Sequence, residues 1–206
     1  QDLVIRGCHP VAIEVSQSKN LLLDGLTVYG CHHPINITTT RNLKIQDCAF
    51  RGIAGPWTSR SHLKYRGVEG ALFTAYGTEG NQDFEISHSE FTDSCDGLFM
   101  WQIKNCKFHH NYVDNCSDDG FNLSANWTQE ENTAYGNIQI YRNLLSRCLT
   151  LFAFGVKREG NKKRAGSGVY IFRNVIDQRI PVFSGPHKDK EGAAEAMRYR
   201  GQMMGD

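Results

Sequence analysis

Apolar positions recur along this chain in a short pattern that appears six times. Each copy starts at an Asn, Asp or Gly, has apolar residues at the first, third and eighth places after it, and closes near the eleventh place with Cys or a substitute. The copies begin at Asn20, Asn42, Asp83, Asn105, Asn137 and Gly168, at intervals of 22, 41, 22, 32 and 31 residues. This predicts a repeat unit of about 22 residues, with inserted loops in the longer intervals.

A second short apolar segment follows most closing positions. Its outer members are apolar and its middle member varies, as in Ile35-Asn36-Ile37, Leu98-Phe99-Met100 and Phe121-Asn122-Leu123. Alternation with a period of two predicts β-strands with one buried face, and the longer spacing of amphipathic helices is absent. One coil of such strands cannot bury its apolar face alone. We therefore expect the coils to stack in parallel around one continuous core.

The cysteines fit such a stack. Five of the seven fall at the closing position, where stacking predicts an inward ladder of small buried thiols: Cys8, Cys31, Cys95, Cys116 and Cys148. An odd number of cysteines argues against a fully paired disulfide framework, and no CxxC pair indicates a zinc site. We expect reduced structural thiols, with a disulfide or metal role as the alternative.

Length and net charge exclude few functions. The chain has 206 residues, enough for one domain with a sizeable core, and 23 Lys+Arg against 22 Asp+Glu leave a net charge of +1. This balance gives no reason to expect a nucleic-acid partner. No apolar run reaches the roughly 18 residues of a membrane span.

The repeat is expected over residues 1–183, followed by an extension over 184–206 with a short helix at Ala193–Tyr199. The first residues resemble the end of a coil without a cap, and no signal-peptide pattern precedes them. We therefore expect a mature form or a segment of a longer protein.

Two acidic segments, Asp96-Gly97 and Asp118-Asp119-Gly120, stand about one repeat apart. Stacking predicts that their three carboxylates meet on an outer wall, where they must bind a cation or hold a proton through a raised pKa. Calcium prefers carboxylate and amide oxygens, and the candidate Ca²⁺ ligands are Asp96, Asp118, Asp119 and Asn122. The alternative is ordinary turn chemistry, with each Asp bonding backbone N–H groups and each Gly at positive φ.

Three inserted loops carry candidate substrate-binding residues. The first, Ile53–Gly70, is basic and aromatic and includes Trp57 and Arg60; aromatic rings suit apolar sugar faces, and cations suit sugar acids. The other two are expected to wall one side of a groove beside the acidic patch: Asn126–Gly136, with Trp127, and Gly155–Ser167, with Lys157, Arg158 and Lys162. For each loop the alternative is a solvated surface segment.

The repeat from about Leu3 to Phe183 resembles the right-handed parallel β-helix superfamily, which includes pectate lyases, polygalacturonases and alginate epimerases. The resemblance implies an all-β, right-handed parallel β-helix, extracellular or periplasmic, that acts on an acidic polysaccharide. The acidic set is similar to the DG…DDGxD pattern of family 9 pectate lyases, with Asn122 in place of the fourth acid. This likeness implies calcium-assisted β-elimination, with Lys157 as the base and Arg158 offsetting the substrate's carboxylate charge.

The same acids also resemble the arrangement in polygalacturonases, which implies inverting hydrolysis by paired carboxyl groups. The Gly-His-Gly and Arg-x-Lys motifs expected on later coils of that family are absent, so elimination ranks first. A non-catalytic carbohydrate-binding or scaffold segment is the competing class. The dipeptides His32-His33 and His109-His110 are predicted to be surface residues, because successive residues of a strand point apart.

Overall fold

The computed structural model describes residues 3–54, 70–76, 81–125, 135–156, 167–178, 182–184 and 198–200. Within these ranges the chain forms nineteen β-strands and no helix. In chain order the strands are β1 Leu3–Arg6, β2 Val11–Ser16, β3 Lys19–Asp24, β4 Leu26–Tyr29, β5 His33–Thr38, β6 Arg41–Gln46, β7 Ala49–Arg51, β8 Ala71–Tyr76, β9 Asn81–Ser87, β10 Glu90–Ser94, β11 Asp96–Trp101, β12 Ile103–His109, β13 Tyr112–Ala125, β14 Gly136–Tyr141, β15 Leu144–Val156, β16 Ser167–Phe172, β17 Val175–Asp177, β18 Val182–Ser184 and β19 Arg198–Arg200.

The strands pair in parallel along three rows. The first row is β2, β5, β8, β11, β13 and β15; the second is β3, β6, β9, β12, β14 and β16; the third is β1, β4, β7, β10, β13, β15 and β17. Because β13 and β15 belong to two rows, the first and third rows form one sheet of 11 strands, beside the second sheet of 6. The predicted parallel, repeat-like all-β structure is confirmed, and it is consistent with a β-helix-like solenoid.

Equivalent apolar residues of successive repeats face one another in the core. Along the first row Ile35 lies against Phe73, and Phe121 lies against both Leu98 and Phe152. All five side chains are fully buried. The Phe121 and Phe152 rings stack with centroids 5.8 Å apart, and each buried ring contributes about 1.5–3 kcal/mol through the hydrophobic effect. The outer members of the apolar triplets therefore form the interior of the stack.

The residues that open each copy of the pattern form a column of their own. Asn20, Asn42, Asp83, Asn105 and Asn137 have φ between 52° and 62°, and Gly168 has φ 65°. Asn, Asp and Gly adopt this left-handed conformation more readily than other residues do. Side-chain amides also link the column, since Asn42 donates to Asn20 at 2.8 Å and Asn137 donates to Asn105 at 3.0 Å. Conformation and hydrogen bonding together explain the residue types at this position.

The thiol ladder is confirmed in part and wrong for Cys95. None of the seven cysteines, all in described residues, forms a disulfide. Cys116 lies against Cys148, and their hydrogen bond, followed by burial, raises the pKa of the Cys116 thiol. Ser94, however, pairs with Cys116 in register. Ser94 occupies the eleventh place after Asp83, as Cys116 does after Asn105, so Cys95 lies one residue past the ladder and contacts Ala54 instead.

The C-terminal residues depart from the repeat. β18 and β19 pair antiparallel, with Phe183 opposite Tyr199. The helix predicted over Ala193–Tyr199 is therefore wrong at Arg198 and Tyr199, and residues 193–197 lie outside the described ranges. The boundary between residues 1–183 and 184–206 stays a prediction. No helix in the described part of the chain has the length and apolar character that a membrane span requires.

Candidate functional site

The three predicted acids lie on two neighbouring strands. Asp96 is the first residue of β11, and Asp118 and Asp119 lie within β13. The parallel register that sets Leu98 against Phe121 brings Asp96 beside Asp119. The backbone N–H of Asp119 donates to Asp96 Oδ1 at 3.2 Å, and the N–H of Asp118 donates to the Cys95 carbonyl at 2.9 Å.

The Cys95 thiol lies close to two of these carboxyl groups. One carboxylate oxygen each of Asp96 and Asp118 and the Sγ of Cys95 all lie within 4.8 Å of one another. The sequence predicted acids on an outer wall, but Asp96, Asp118 and Asp119 are only 4%, 5% and 8% exposed. The predicted proximity therefore holds for the carboxyl groups of Asp96 and Asp118, whereas the Asp119 carboxylate is not part of this group and accepts from Asn122. The expected exposure of all three acids is wrong. Burial strengthens every electrostatic interaction in the cluster, because less water screens the charges.

Asn122 lies beside Asp119 and turns its amide nitrogen, not its amide oxygen, toward that acid. Its Nδ2 donates to Asp119 Oδ2 at 2.5 Å, and its Oδ1 accepts a hydrogen bond from Ser124 Oγ at 2.6 Å. A carboxylate accepts only and a hydroxyl donates readily, so these partners determine the amide's orientation. Asn122 thus orients Asp119 and does not aim its oxygen at the acidic cluster.

Gly97 and Gly120 are required by close packing of the stacked chains. Asp96-Gly97 and Asp118-Asp119-Gly120 lie within strands, and neither glycine has a positive φ, so the turn interpretation of these segments is wrong. A Cβ on Gly97 would lie 2.6 Å from the Gly120 carbonyl oxygen, and one on Gly120 would lie 2.9 Å from the Leu151 carbonyl oxygen. The small residue beside each acid lets successive chain segments approach closely.

The donor set does not fit the predicted calcium ion. Calcium takes six to eight oxygen ligands, whereas the cluster combines two carboxyl groups with the sulfur of Cys95. Thiolate sulfur is a soft ligand that suits zinc or copper(I) better than calcium. The Asn122 oxygen, the predicted fourth ligand, accepts from Ser124. Among the described residues, therefore, the calcium ligands predicted from the sequence do not assemble as an oxygen cage.

Beside the acids, the outer face of the first row carries buried polar groups that have no hydrogen-bond partner among the described residues. Asn36, Thr74, Phe99 and Asn122 follow one another in register across β5, β8, β11 and β13. Within the described part of the chain, no partner is found for the buried atoms Asn36 Oδ1, Thr74 Oγ1 and Trp101 Nε1. The sequence signal for these outward polar groups is the variable middle residue of each apolar triplet. Thr74 is the middle residue of such a triplet, Phe73-Thr74-Ala75 in β8, which the repeat pattern alone does not bring out.

A buried ion pair lies on the third row, near the start of β13. Asp114 of β13 is buried, and Arg147 of β15 binds it in a fork, with Nε on Oδ1 at 2.7 Å and Nη2 on Oδ2. The Asp114 hydrogen bond raises the pKa of the Arg147 guanidinium. Burial, followed by a hydrogen bond with Asp114, raises the pKa of Tyr112 to about 12. The Arg147 guanidinium and the Tyr112 hydroxyl stay protonated at neutral pH, and the pair of Arg147 with Asp114 ties β15 to β13, the strand that carries Asp118 and Asp119.

The remaining predicted site residues lie outside the described residues: Trp57, Arg60, Trp127, Lys157, Arg158 and Lys162. Their roles stay predictions.

Comparison with known proteins finds no match among protein-family models, curated proteins or solved structures. The resemblance to pectate-lyase-like proteins therefore depends on the residues and the strand pattern alone.

Proposed function

We propose that the chain is a right-handed parallel β-helix of the pectate-lyase-like kind, with coils of about 22 residues and three inserted loops. We further propose that it binds and cleaves an acidic polysaccharide outside the cell or in the periplasm. The ligand lies along the outer face of β5, β8, β11 and β13, and the reaction occurs at Asp96 and Asp118.

The observation that carries the proposal is the row of buried, unpartnered polar atoms beside the acids. Leaving a buried donor or acceptor unsatisfied costs about 1–3 kcal/mol. Asn36 Oδ1, Thr74 Oγ1 and Trp101 Nε1 all have this cost in one stretch of the outer face. A polysaccharide presents hydroxyl groups that both donate and accept, so it satisfies those of the three that a side-chain rotation brings to the surface. The aromatic rings of Phe99 and Trp101, 5.4 Å apart, offer apolar surface for the sugar rings.

The acid pair favours hydrolysis. Two carboxyl groups whose oxygens lie within 4.8 Å repel one another strongly when both are charged. In hydrolysis, one carboxyl group of such a pair protonates the leaving glycosidic oxygen, and the other accepts a proton from water. Calcium-assisted elimination with Lys157 as the base is the second candidate. The similarity of the three acids to the family 9 pattern supports it, whereas the combination of two carboxyl groups with the Cys95 sulfur does not.

Activity assays distinguish the two reactions. The protein is incubated with pectate, alginate or chondroitin, with and without a chelator, while reducing ends and the absorbance of the unsaturated product are both measured. Reducing ends without that absorbance support hydrolysis, and absorbance that requires calcium supports elimination. Asp96→Asn and Asp118→Asn should each lower the rate at least about 100-fold. Asp83 is an exposed acid that opens one copy of the repeat. The substitution Asp83→Asn is the matched control and should leave the rate unchanged.

Thr74→Val separates ligand binding from stability. The variant keeps the shape of the side chain and removes the unpartnered Oγ1. It should raise the free energy of unfolding by about 1 kcal/mol, because a buried polar group without a partner disappears. It should also weaken polysaccharide binding, measured by affinity electrophoresis. Unchanged binding would show that this face does not contact the ligand.

A further inference from the structure

The side chains of His109 and His110 converge, against the expectation that neighbouring strand residues point apart. His109 is the last residue of β12, and His110 follows it with φ 56°. This left-handed residue breaks the strand alternation and turns the second imidazole back toward the first. Their Nδ1 atoms are 2.9 Å apart. The expectation that the two side chains diverge is therefore wrong, and the expected surface position holds for His110 and is wrong for His109.

Neighbouring groups hold both rings in place. His109 Nε2 lies 3.3 Å from Glu85 Oε1 on β9, and the His109 ring stacks on Tyr141 with centroids 4.9 Å apart. His88 has φ 50° at the equivalent turn of the preceding repeat and stacks on His110 with centroids 4.9 Å apart. The two imidazoles are thus positioned from both sides and do not depend on each other alone.

The hydrogen bond to Glu85 selects the tautomer that a metal requires. When His109 donates from Nε2 to the carboxylate, its Nδ1 carries no proton and presents a lone pair toward His110. A carboxylate behind a histidine ring is the usual support of a metal-ligating histidine, because it orients the ring and raises its basicity.

We propose that His109 and His110 chelate a divalent transition-metal ion through their two Nδ1 atoms, with Glu85 as the supporting carboxylate. Metal–nitrogen bonds of about 2.0–2.1 Å to atoms 2.9 Å apart enclose an angle of about 90° at the ion. Such an angle belongs to square-planar or octahedral coordination, whereas a tetrahedral site needs ligands farther apart. The geometry therefore selects Ni²⁺ or Cu²⁺ over Zn²⁺. The site lies on the second row, independent of the acidic cluster on β11 and β13.

Isothermal titration with Ni²⁺ tests the site and avoids the reaction of Cu²⁺ with the thiols. The intact chain should bind Ni²⁺ more tightly than Zn²⁺. His109→Gln and His110→Gln should each lower the Ni²⁺ affinity at least about 10-fold, and Glu85→Gln should lower it by about 10-fold or more. His32→Gln removes a histidine from a different cluster and is the matched control, with an affinity equal to that of the unaltered chain.

Circular dichroism should be the same for all variants, which separates a loss of ligands from a loss of fold. Equal Ni²⁺ affinity in His110→Gln and the unaltered chain would overturn the proposal and leave a hydrogen-bonded pair of histidines. Tighter binding of Zn²⁺ than of Ni²⁺ would overturn the choice of ion. An unaltered affinity in Glu85→Gln would remove the carboxylate from the site.

Discussion

The buried pair of Arg147 and Asp114 should stabilise the fold far more than its exposed counterpart, although both have the same fork geometry. Arg51 binds Glu90 through Nε at 2.8 Å and Nη2 at 2.6 Å, as Arg147 binds Asp114. The side chains of Arg51 and Glu90 are 46% and 29% exposed, whereas those of Arg147 and Asp114 are 26% and 4% exposed. The two pairs thus isolate the effect of burial.

Arg147→Met keeps the length of the side chain and removes both hydrogen bonds. Each hydrogen bond to a charged group contributes about 1.5–3 kcal/mol, and Asp114 would keep a buried charge without its cation. Because Arg147 itself is partly exposed and water can replace it in part, we take the lower end of the range, about 3 kcal/mol. For a chain of this size that corresponds to a fall in Tm of about 6–12 °C. Arg51→Met should cost less than about 1 kcal/mol, since exposed ion pairs contribute little.

Thermal unfolding followed by circular dichroism measures both variants under one set of conditions. The double variant Arg147→Met with Asp114→Asn should be no less stable than Arg147→Met, because a neutral amide costs less to bury than an uncompensated carboxylate. Equal losses in Arg147→Met and Arg51→Met would refute the claim that burial decides the contribution of these pairs.

Two further predictions concern Gly97 and Tyr112. In a urea titration, Gly97→Ala should lower the free energy of unfolding by about 2–3 kcal/mol, because its Cβ would meet the Gly120 carbonyl oxygen at 2.6 Å and the backbone must move. Gly7→Ala should lower it by about 1 kcal/mol, because its Cβ meets no atom within 4 Å and only the strain of φ 64° remains. A Gly97→Ala variant as stable as Gly7→Ala would contradict the close packing. Tyr112 should ionise near pH 12, so Tyr112→Phe should remove tyrosinate absorbance from that part of the titration and not from the part near pH 10. Since the folded pKa is raised, the stability that Tyr112 contributes is present below about pH 10 and is lost between about pH 10 and 12.

The sequence by itself determined the repeat and the strands. Apolar triplets such as Ile35–Ile37 alternate with the period of a strand, and the opening Asn and Asp residues have the left-handed conformation that their side chains tolerate. These properties are local, so they can be read from neighbouring residues. The spacing between Asp96 and Asp119 also predicted that two acidic segments would lie side by side, because a regular repeat converts sequence distance into position.

Only the tertiary structure decided which way individual side chains face and how deeply they lie. Cys95 follows Ser94, which holds the closing position, so it lies in the acidic cluster and not in the thiol ladder, and its sulfur replaces an oxygen ligand there. The amide of Asn122 is oriented by Asp119 and Ser124, and the buried ladder in which Asn111 bonds Asn143 and Asn143 bonds Asn174 joins successive repeats through main-chain groups. The asparagine ladder depends on contacts far apart in the sequence, 32 residues from Asn111 to Asn143 and 31 from Asn143 to Asn174. The Asn122 contacts are close in sequence, three residues to Asp119 and two to Ser124, but only the folded strand decides which amide atom meets which partner.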